Sequence, residues 1–420
     1  MLAQSLTPSR VVTTALKAMV IFIVIAVIPG CFSTVLPLEF SHLTGNTMGT
    51  SYTVKYRSPL GTPPSHVMQE DIGHRLAQIN QIMSTYDPES ELSRLNRADT
   101  TDWIPVSSHL YIVLKTALEI NRQSKGAFDI TIGPLVNLWG FGPNIRLESI
   151  PDQTGIAAAL ERTGPDKLVL HESSSAVRKT RSDVYVDLSG IAKGYAVDQI
   201  AVALEHHGIA HYMIEIGGEI RARGTNVQEV PWRIGIDKPQ SPGRSIQKVL
   251  SLKSTAMATS GNYRNYFMIN GRRYMHVIDP VTGWPAENHL ASVTVLADTC
   301  MLADAWATAL LVLGLERGMV IAEQLGLPAL FIVNHDGIFV EHASSHFESK
   351  DTQNITITFL AAFLVIGIAI AAMAAGIMMG RRPPAGSCGG LGRFGLECDA
   401  GCRKSCSDQS DQKPSTTKRP

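Results

Sequence analysis

The sequence has very little cysteine outside its C-terminal tail. Six cysteines occur in 420 residues, and only Cys31 and Cys300 precede position 388. With a single thiol after Cys31, the body of the chain cannot be cross-linked internally by disulfide bonds. Its roughly 320 residues must therefore be held together by a packed hydrophobic core, and they are enough for one large domain or two closely joined ones.

The sequence also has no excess of charge of either sign. Lysine and arginine together number 37, as do aspartate and glutamate. A basic stripe with interleaved aromatic residues, which marks many nucleic-acid-binding surfaces, does not occur. We therefore expect no nucleic-acid partner.

An apolar segment near the N-terminus predicts export. Residues 18–28 follow Arg10 and Lys17 and lead into Cys31 through Pro29-Gly30. A short apolar stretch behind a basic segment is typical of a secretory signal, here over residues 1–31. Either Cys31 becomes a lipidated N-terminus, or the segment is retained as an anchor.

A second apolar segment predicts a transmembrane helix. Residues 355–379 carry no charged side chain, and as a helix they would span roughly 37 Å, enough to cross a bilayer core. Arg381 and Arg382 follow directly, and the positive-inside rule puts them in the cytoplasm. We expect a bacterial inner-membrane protein with a periplasmic body and a cytoplasmic tail, residues 380–420.

The tail contains four closely spaced cysteines: Cys388, Cys398, Cys402 and Cys406. In a reducing compartment, clustered thiols bind metals or act in redox chemistry rather than forming disulfides. The last three are four residues apart and would lie along one helix face, and Cys388 could complete a four-thiolate set. We expect this set to bind iron, with zinc or palmitoylation as alternatives.

The periodicity of apolar residues in the body predicts an α+β fold. Helices are predicted at 67–83, 108–122, 190–207 and 300–313, and Gly208 and Gly314 would end the last two. Strands are predicted at 50–56, 184–188, 211–216, 232–236, 274–279, 291–297 and 329–334. The helices alternate irregularly with antiparallel-looking strands, which favours α+β over a doubly wound fold.

The segment VDLSGIAKGYAVDQI, residues 186–200, leads from a strand end into a helix. Lys193 falls in the first turn, where backbone N–H groups and an ammonium together can bind an anion such as pyrophosphate. Asp187 would repel that anion unless a metal ion or a hydroxyl group lies between them. The alternative is a purely structural helix start.

The segment MLADAWATAL, residues 301–310, places Asp304 and Thr308 one turn apart on the same helix face. The rest of this helix is apolar, so Asp304 should be buried and in need of a partner. Carboxylate and hydroxyl oxygens are ligands that Mg²⁺ accepts alongside substrate phosphates. Alternatively, Asp304 caps the N–H groups of another segment.

Two further segments combine turn-forming residues with polar and aromatic side chains. Residues 258–285 place His276 and Asp279 at the end of a predicted strand, and residues 126–142 place Asp129 after Phe128 in a glycine-rich loop. Each segment also has a purely structural interpretation. His276 could be a hydrogen-bonded structural residue, and residues 126–142 could form the core of a loop. Taken with the two preceding segments, they predict an Mg²⁺-dependent site for a nucleotide or flavin.

Eight segments, in this order, resemble motifs of the ApbE family of FAD:protein FMN transferases: TMGTSY, MSTYDPESELSRLN, GAFDITIGPLVNLWGFG, DLSGIAKGYAVD, IEIGGEIRARG, TSGNYRNY, HVIDPVTGWP and MLADAWATALLVLG. The resemblance extends over residues 43–347. It implies a fold related to the T-fold, export, and binding of FAD and Mg²⁺. It also implies transfer of FMN through a phosphoester bond to a threonine of a target protein, with release of AMP.

The resemblance further implies which residues form the site. FAD would be contacted by Met48, Tyr86, Ala127, Phe128, Asp129, Asp187, Lys193 and His276. The metal would be held by Asp304, Thr308 and the carbonyl of Gly190. Among catalytic residues, His276 is our candidate base for the threonine hydroxyl, with Asp279 as second choice, and Lys193 would take developing negative charge.

Residues 357–406 resemble a second, small family, NqrM, in their single apolar helix and in the GSCGG motif followed by further cysteines. This resemblance implies a role in iron delivery or assembly for the sodium-translocating NADH:quinone oxidoreductase. Flavin-bearing subunits of that complex are targets of ApbE-like transferases, so we expect them as acceptors. Alternative functions are Mg²⁺-dependent FAD hydrolysis, non-catalytic flavin binding by a periplasmic lipoprotein, and an inert membrane scaffold.

Overall fold

A computed structural model of the protein describes residues 39–143, 150–239, 245–262, 266–269, 271–347, 363–368 and 370–371. The chain divides into two units, Met1–Asn354 and Ile355–Pro420. The described part of the first unit contains both helices and strands, and every strand pairing in it is antiparallel. The predicted α+β class is confirmed.

Seven α-helices lie in the described part of the first unit: α1 Ser65–Met83, α2 Glu91–Arg97, α3 Ser108–Gln123, α4 Gly133–Leu138, α5 Gln153–Leu160, α6 Ala192–His206 and α7 Cys300–Leu325. Two 3₁₀ turns occupy Pro165–Lys167 and Glu172–Ser174. Four of the helices begin at a side chain that accepts a backbone N–H, which satisfies a donor that the helix itself leaves unpaired. These capping residues are Ser90, Ser107, Asp152 and Thr299.

The strands are β1 Glu39–Thr47, β2 Thr50–Ser58, β3 Ile104–Pro105, β4 Leu168–His171, β5 Ala176–Lys179, β6 Tyr212–Ile216, β7 Glu219–Arg223, β8 Trp232–Asp237, β9 Ile246–Leu252, β10 Ser254–Gly261, β11 Tyr266–Ile269, β12 Arg272–Met275, β13 Leu290–Ala297, β14 Ala329–His335 and β15 Ile338–Ala343. Eight of them form one sheet in the order β1-β2-β6-β7-β10-β13-β14-β15. Smaller sheets are β3-β5-β4, β8-β9 and β11-β12.

Both faces of the large sheet are covered. Successive residues of a strand point to opposite faces, and in β6 Ile214 belongs to the core under the helices whereas Met213 belongs to a second core. Helices α1, α6 and α7 contact the first face, and α3 packs on α1 and α7. The β8-β9 hairpin covers the second face through side chains such as Trp232 and Leu250. A sheet buried on both sides provides a rigid platform for the loops at its edges.

The predicted strand at 184–188 is wrong. This segment belongs to no strand. The side-chain amide of Asn96 takes the place of a neighbouring strand, because it donates to the carbonyl of Val186 and accepts the N–H of the same residue. The N–H of Asp187 then donates to Ile130 O at 2.7 Å. The alternation of apolar residues at 184–188 therefore indicates burial, but it does not indicate pairing with another strand.

Helix α7 runs through the centre of the domain. It extends past the predicted end at Gly314, where φ is +78° and the helix is interrupted before it continues to Leu325. Among the described residues it is the one helix long and apolar enough to cross a membrane. Most of its apolar stretch is buried within the domain, so α7 is a core helix. The predicted end of the preceding helix is confirmed, since Gly208 follows α6 with a φ of +74°.

Several sequence predictions lie outside the described residues. They are the signal at 1–31, the cysteine-rich tail at 380–420, and most of the predicted transmembrane helix at 355–379. Within the last segment, residues 363–368 and 370–371 are described; they are helical, and their apolar side chains are exposed.

Candidate active site

A cavity of about 610 Å³ opens at one end of the interior strands of the large sheet. Its walls come from the β1-β2 and β6-β7 turns, the end of β10, the segment after β12, and residues that precede and begin α6. Helix α7 contributes one wall through Asp304, Thr308 and Val312. The cavity brings together most of the predicted site residues: Ala127, Phe128, Asp129, Asp187, Gly190, Lys193, His276, Asp304 and Thr308.

Three predicted site residues do not line this cavity. Met48 lies in the β1-β2 turn with a left-handed φ of 49° and packs against the core beside Thr50, which does line it. Tyr86 is 68% exposed. Burial of the rest of the residue, together with the nearby Asp187 carboxylate, raises the pKa of its hydroxyl. The carboxylate of Asp279 accepts the N–H of Val281 at 2.9 Å and so stabilises its own turn.

The approach to α6 is shaped by a close contact at Gly190. A Cβ atom there would lie 3.1 Å from Phe128 Cε2 and 3.3 Å from Thr308 Oγ1, so only glycine fits without displacing a neighbour. Helix α6 begins two residues later, and its first turn has no side-chain cap. Asp187 Oδ1 instead accepts the N–H of Ser189 at 2.8 Å. Gly190 and Lys193, on either side of the start of α6, both line the cavity.

The Asp304 carboxylate is buried, with 2% of the residue exposed. Its Oδ2 accepts the N–H of Gly194 at 3.0 Å, and its Oδ1 lies 3.8 Å from the Lys193 ammonium. Burial raises the pKa of this carboxyl, although Lys193 and the Gly194 N–H oppose the shift. One oxygen thus has the capping role that the sequence left open, and the other lies at the wall of the cavity near a cation.

Glu219, which the sequence analysis did not single out, is the closest partner of Lys193. Its Oε1 accepts from the ammonium at 2.7 Å, and 4% of the residue is exposed. Burial raises the pKa of Glu219 to about 7 against the opposing effect of Lys193, and Asp304 raises it further. Burial would lower the pKa of Lys193, but the two carboxylates outweigh it and hold that pKa above its ordinary value.

The alternation of apolar residues in the sequence does not indicate that Glu219 is buried. In β7 it alternates with apolar residues as Arg221 and Arg223 do, a pattern typical of a solvent-facing row. The packing of α6 and α7 against β7 buries the first member of the row. The signals in the sequence are the adjacent Gly217-Gly218 turn and the family motif IEIGGEIRARG, which contains Glu219.

The start of α7 is held by a residue of α6. The Asp198 carboxylate accepts the N–H groups of Cys300 and Met301, both at 2.9 Å, and Arg221 donates to it at 2.5 Å. A carboxylate at a helix N-terminus is stabilised by the free N–H groups and by the helix dipole. This contact sets the position of α7 relative to α6, and with it the position of Asp304 relative to Lys193.

One wall of the cavity suits a planar ring. Phe128, Ile130, Ile132, Val277 and Ile278 supply apolar surface, and the Phe128 carbonyl accepts from Asn121 at 2.7 Å. Asp129 accepts the N–H of Thr131 at 2.8 Å and its hydroxyl at 2.6 Å. Burial raises the pKa of Asp129, and these two hydrogen bonds limit the increase. His276 lies just past the end of β12 on the same cavity.

The donor atoms beside this wall fit a hard cation. In the described part of the chain, no three His, Cys, Asp or Glu side chains are grouped as a metal cluster. The donors here are mixed: the Asp304 carboxylate, the Thr308 hydroxyl, which lies 3.0 Å from Ser260 Oγ, and the nearby Gly190 backbone. Such oxygen donors suit Mg²⁺. When both carboxylates that share the Lys193 ammonium are ionised, the group carries a net negative charge that a cation would balance.

The chain matches known protein families over most of its length. The sequence model of the ApbE family matches residues 48–331, and that of (Na+)-NQR maturation NqrM matches residues 377–419. An FAD:protein FMN transferase of Vibrio cholerae is 46% identical over 312 residues, which cover 74% of this chain and 93% of that protein. One of Haemophilus influenzae is 44% identical over 311 residues, 73% of this chain and 90% of that protein.

A solved structure agrees with the sequence relatives. The flavin transferase ApbE from Vibrio cholerae superposes with a TM-score of 0.70 at 45% identity. The match covers 74% of this chain and 99% of that one. The fold of the body is therefore that of the solved flavin transferase.

Proposed function

The chain belongs to the ApbE family, and on that premise we propose that it is an FAD:protein FMN transferase. The proposal is supported above all by one cavity that combines the ammonium of Lys193 in the first turn of α6, a buried carboxylate at Asp304, and an apolar wall around Phe128. An anion site, a cation site and a ring-binding wall in one cavity match the three chemical parts of FAD: pyrophosphate, its counter-ion and an aromatic ring.

In the proposed reaction, the hydroxyl oxygen of an acceptor threonine forms a bond to the phosphorus of the FMN half of FAD. The bond between that phosphorus and the bridging oxygen breaks, and AMP leaves with the bonding electrons. The threonine proton passes to a base, and His276 is our candidate because it lines the cavity whereas the carboxylate of Asp279 belongs to its own turn.

Negative charge that develops on the phosphates would be stabilised by this chain's own groups. Lys193 carries a positive charge at the cavity wall in the first turn of α6, where the helix dipole adds to its effect. Mg²⁺ would be held by Asp304, Thr308 and the carbonyl of Gly190. When bound there, Mg²⁺ supplies Lewis-acid polarisation of phosphate oxygens.

The flavin would lie against Ala127, Phe128 and Asp129, with Asp187 at the turn before α6. We place Met48 and Tyr86 at the rim of the cavity, where they would contact the parts of FAD that extend outward. The exposure of Tyr86, together with the effect of Asp187 on its pKa, supports this assignment.

For the whole chain we propose a second maturation function on the other side of the membrane. The NqrM match at 377–419 supports a role for the tail in iron-site maturation of the sodium-translocating NADH:quinone oxidoreductase. The acceptor threonine would then belong to a subunit of that complex. In this arrangement one membrane protein serves both the flavin and the iron of the same enzyme.

The function is tested with the full chain in detergent, FAD, Mg²⁺ and a purified candidate acceptor subunit. We expect mass spectrometry to detect FMN on one acceptor threonine, with AMP released in equal amount. AMP release that is equally fast without acceptor, with no modified protein, would instead establish FAD hydrolysis. Binding of FAD with neither product would establish a flavin-binding protein.

A further inference from the structure

The Lys193 ammonium lies between two buried carboxylates but is not shared equally. Its Nζ is 2.7 Å from Glu219 Oε1 and 3.8 Å from Asp304 Oδ1. The shorter distance is that of a charge-assisted hydrogen bond, whereas the longer one is a looser ion pair. Glu219 is therefore the main partner of the ammonium.

The charges of the three groups decide what the cavity can bind. With Lys193, Glu219 and Asp304 ionised, the group carries a net charge of minus one. Without the Glu219 carboxylate, Lys193 and Asp304 would neutralise each other. A divalent cation would then have to displace an ammonium from a buried carboxylate, where opposite charges attract strongly because little water screens them.

We propose that Glu219 is a positioning residue for the cation site: it binds the Lys193 ammonium and so leaves the charge of Asp304 available to a divalent cation. The inference rests on the proposed function, because it concerns the same cation site, and it assigns a role to a residue that has none in the proposed reaction. The second Glu219 oxygen, Oε2, is buried and has no hydrogen-bond partner within the described residues. The Lys193 ammonium is therefore the side-chain donor that this carboxylate has in the described part of the chain.

The proposal predicts a specific pattern among three variants. Glu219→Gln removes the negative charge that holds the ammonium, so Lys193 should pair more closely with Asp304. Divalent-cation binding should weaken by roughly 10- to 100-fold, the usual cost of losing a group that supports a metal ligand. Lys193→Met removes the competing ammonium, so this variant should bind the divalent cation at least as tightly as wild type does. The double variant Lys193→Met/Glu219→Gln should recover most of the affinity lost in Glu219→Gln.

Metal binding is measured without FAD, with Mn²⁺ as the probe. The concentration of free Mn²⁺ is determined by electron paramagnetic resonance. The full chain is used with all four tail cysteines replaced by serine, so that the tail contributes no thiolate ligands. Glu215→Gln is the matched control. It removes a carboxylate from the same cavity, but Glu215 accepts the Gly218 N–H at 2.8 Å and forms no ion pair with Lys193. Circular dichroism and thermal unfolding verify that each variant is folded.

Each outcome decides for or against the proposal. The proposal is supported if Glu219→Gln binds Mn²⁺ more weakly than wild type, the double variant recovers most of that affinity, and Glu215→Gln binds Mn²⁺ as wild type does. Mn²⁺ affinity unchanged in Glu219→Gln overturns it, and a double variant as weak as Glu219→Gln overturns it in favour of Glu219 as a direct ligand. If the wild type itself fails to bind Mn²⁺, the cation site and this inference both fall. If the Mn²⁺ pattern holds but no FMN reaches any acceptor, the proposed function alone is overturned.

Discussion

At the scale of single residues, the site depends on a few buried polar contacts. Asp304 illustrates this, since one oxygen caps Gly194 and the other lies near Lys193. The same carboxylate thus has a structural and a chemical role. Substitutions that remove the charge but keep the hydrogen bond can separate the two.

We expect Asp304→Asn to lower FMN transfer roughly 100- to 1000-fold, the scale seen when an electrostatic group is removed from a transition state. The asparagine oxygen can still accept the Gly194 N–H, so the fold should remain. Asp304→Ala should in addition lose about 1–3 kcal/mol of unfolding free energy, because it leaves that N–H unpaired. Transfer rates at limiting Mg²⁺ and urea unfolding measure the two effects.

The control is Asp336→Asn, in the exposed β14-β15 turn. If Asp304→Asn transfers FMN at the wild-type rate, the assignment of Asp304 as a metal ligand is refuted.

The two candidate bases can be distinguished by mutation. His276→Ala should reduce the transfer rate by about 10²–10⁴-fold, the usual contribution of a general base. Asp279→Asn should change it little, because an asparagine oxygen can still accept the Val281 N–H. The measurement is the single-turnover rate with saturating FAD and acceptor. A larger loss in Asp279→Asn than in His276→Ala would assign the base to Asp279.

At the scale of elements, the site is built where helices α6 and α7 meet. Gly194 permits this contact, since a Cβ atom there would lie 2.3 Å from Cys300 O and 2.8 Å from Asp304 Cβ. Asp198 of α6 holds the N-terminus of α7 from the other side. The two helices are therefore one unit, and their spacing sets the distance between Lys193 and Asp304.

We expect Gly194→Ala to lower the unfolding free energy by about 1–3 kcal/mol or more, because a methyl group overpacks the helix contact. Gly73→Ala is the matched control. Gly73 lies within α1, and a Cβ atom there would meet no neighbouring atom within 4 Å, so alanine should stabilise the helix by up to about 1 kcal/mol. Urea unfolding of both variants tests the contrast. Equal stability of the two would mean that α6 and α7 can separate without cost.

At the scale of the whole molecule, the chain joins a flavin transferase body to an NqrM-like tail. The two parts would act on opposite sides of the membrane if residues 355–379 span it. The tail cysteines would then be reduced and free to bind metal, whereas the thiol of Cys300 is buried in the body, and burial raises its pKa. Topology and metal content can each be measured without an activity assay.

Protein purified without oxygen should contain iron that is lost in the variant Cys398→Ser/Cys402→Ser, because the tail would lose half of its four thiolates. FMN transfer by the body should be unchanged in this variant. Metal analysis and the transfer assay are run on the same preparations, with Ser405→Ala as a control in the tail. Zinc in place of iron would refute iron delivery and leave the transferase proposal intact.

A membrane-impermeant thiol reagent tests the topology in spheroplasts. It should label the tail cysteines only after the membrane is permeabilised. A cysteine introduced by Leu60→Cys, at a residue that is 86% exposed on the body, should be labelled from outside at once. Labelling of the tail in intact spheroplasts would place it in the periplasm and overturn the proposed orientation.

Much of the fold and of the site was predictable from local patterns. The four-residue spacing of Asp304 and Thr308 puts both on one helix face in any context, and both line the cavity. Gly208 ends α6 because a left-handed residue is needed there. Patterns of this kind depend on backbone geometry over one or two turns, which neighbouring residues determine by themselves.

The remaining features depend on contacts between distant segments. Residues 184–188 alternate like a strand, but Asn96 occupies the position of their partner. Glu219 has the pattern of a solvent-facing strand residue, yet α6 covers it and gives it Lys193. The sequence by itself determined the long helices, several of the strands, the family and most residue types of the site. Only the tertiary structure decided which charges are buried together, because burial and ion pairing depend on packing between segments far apart in the chain.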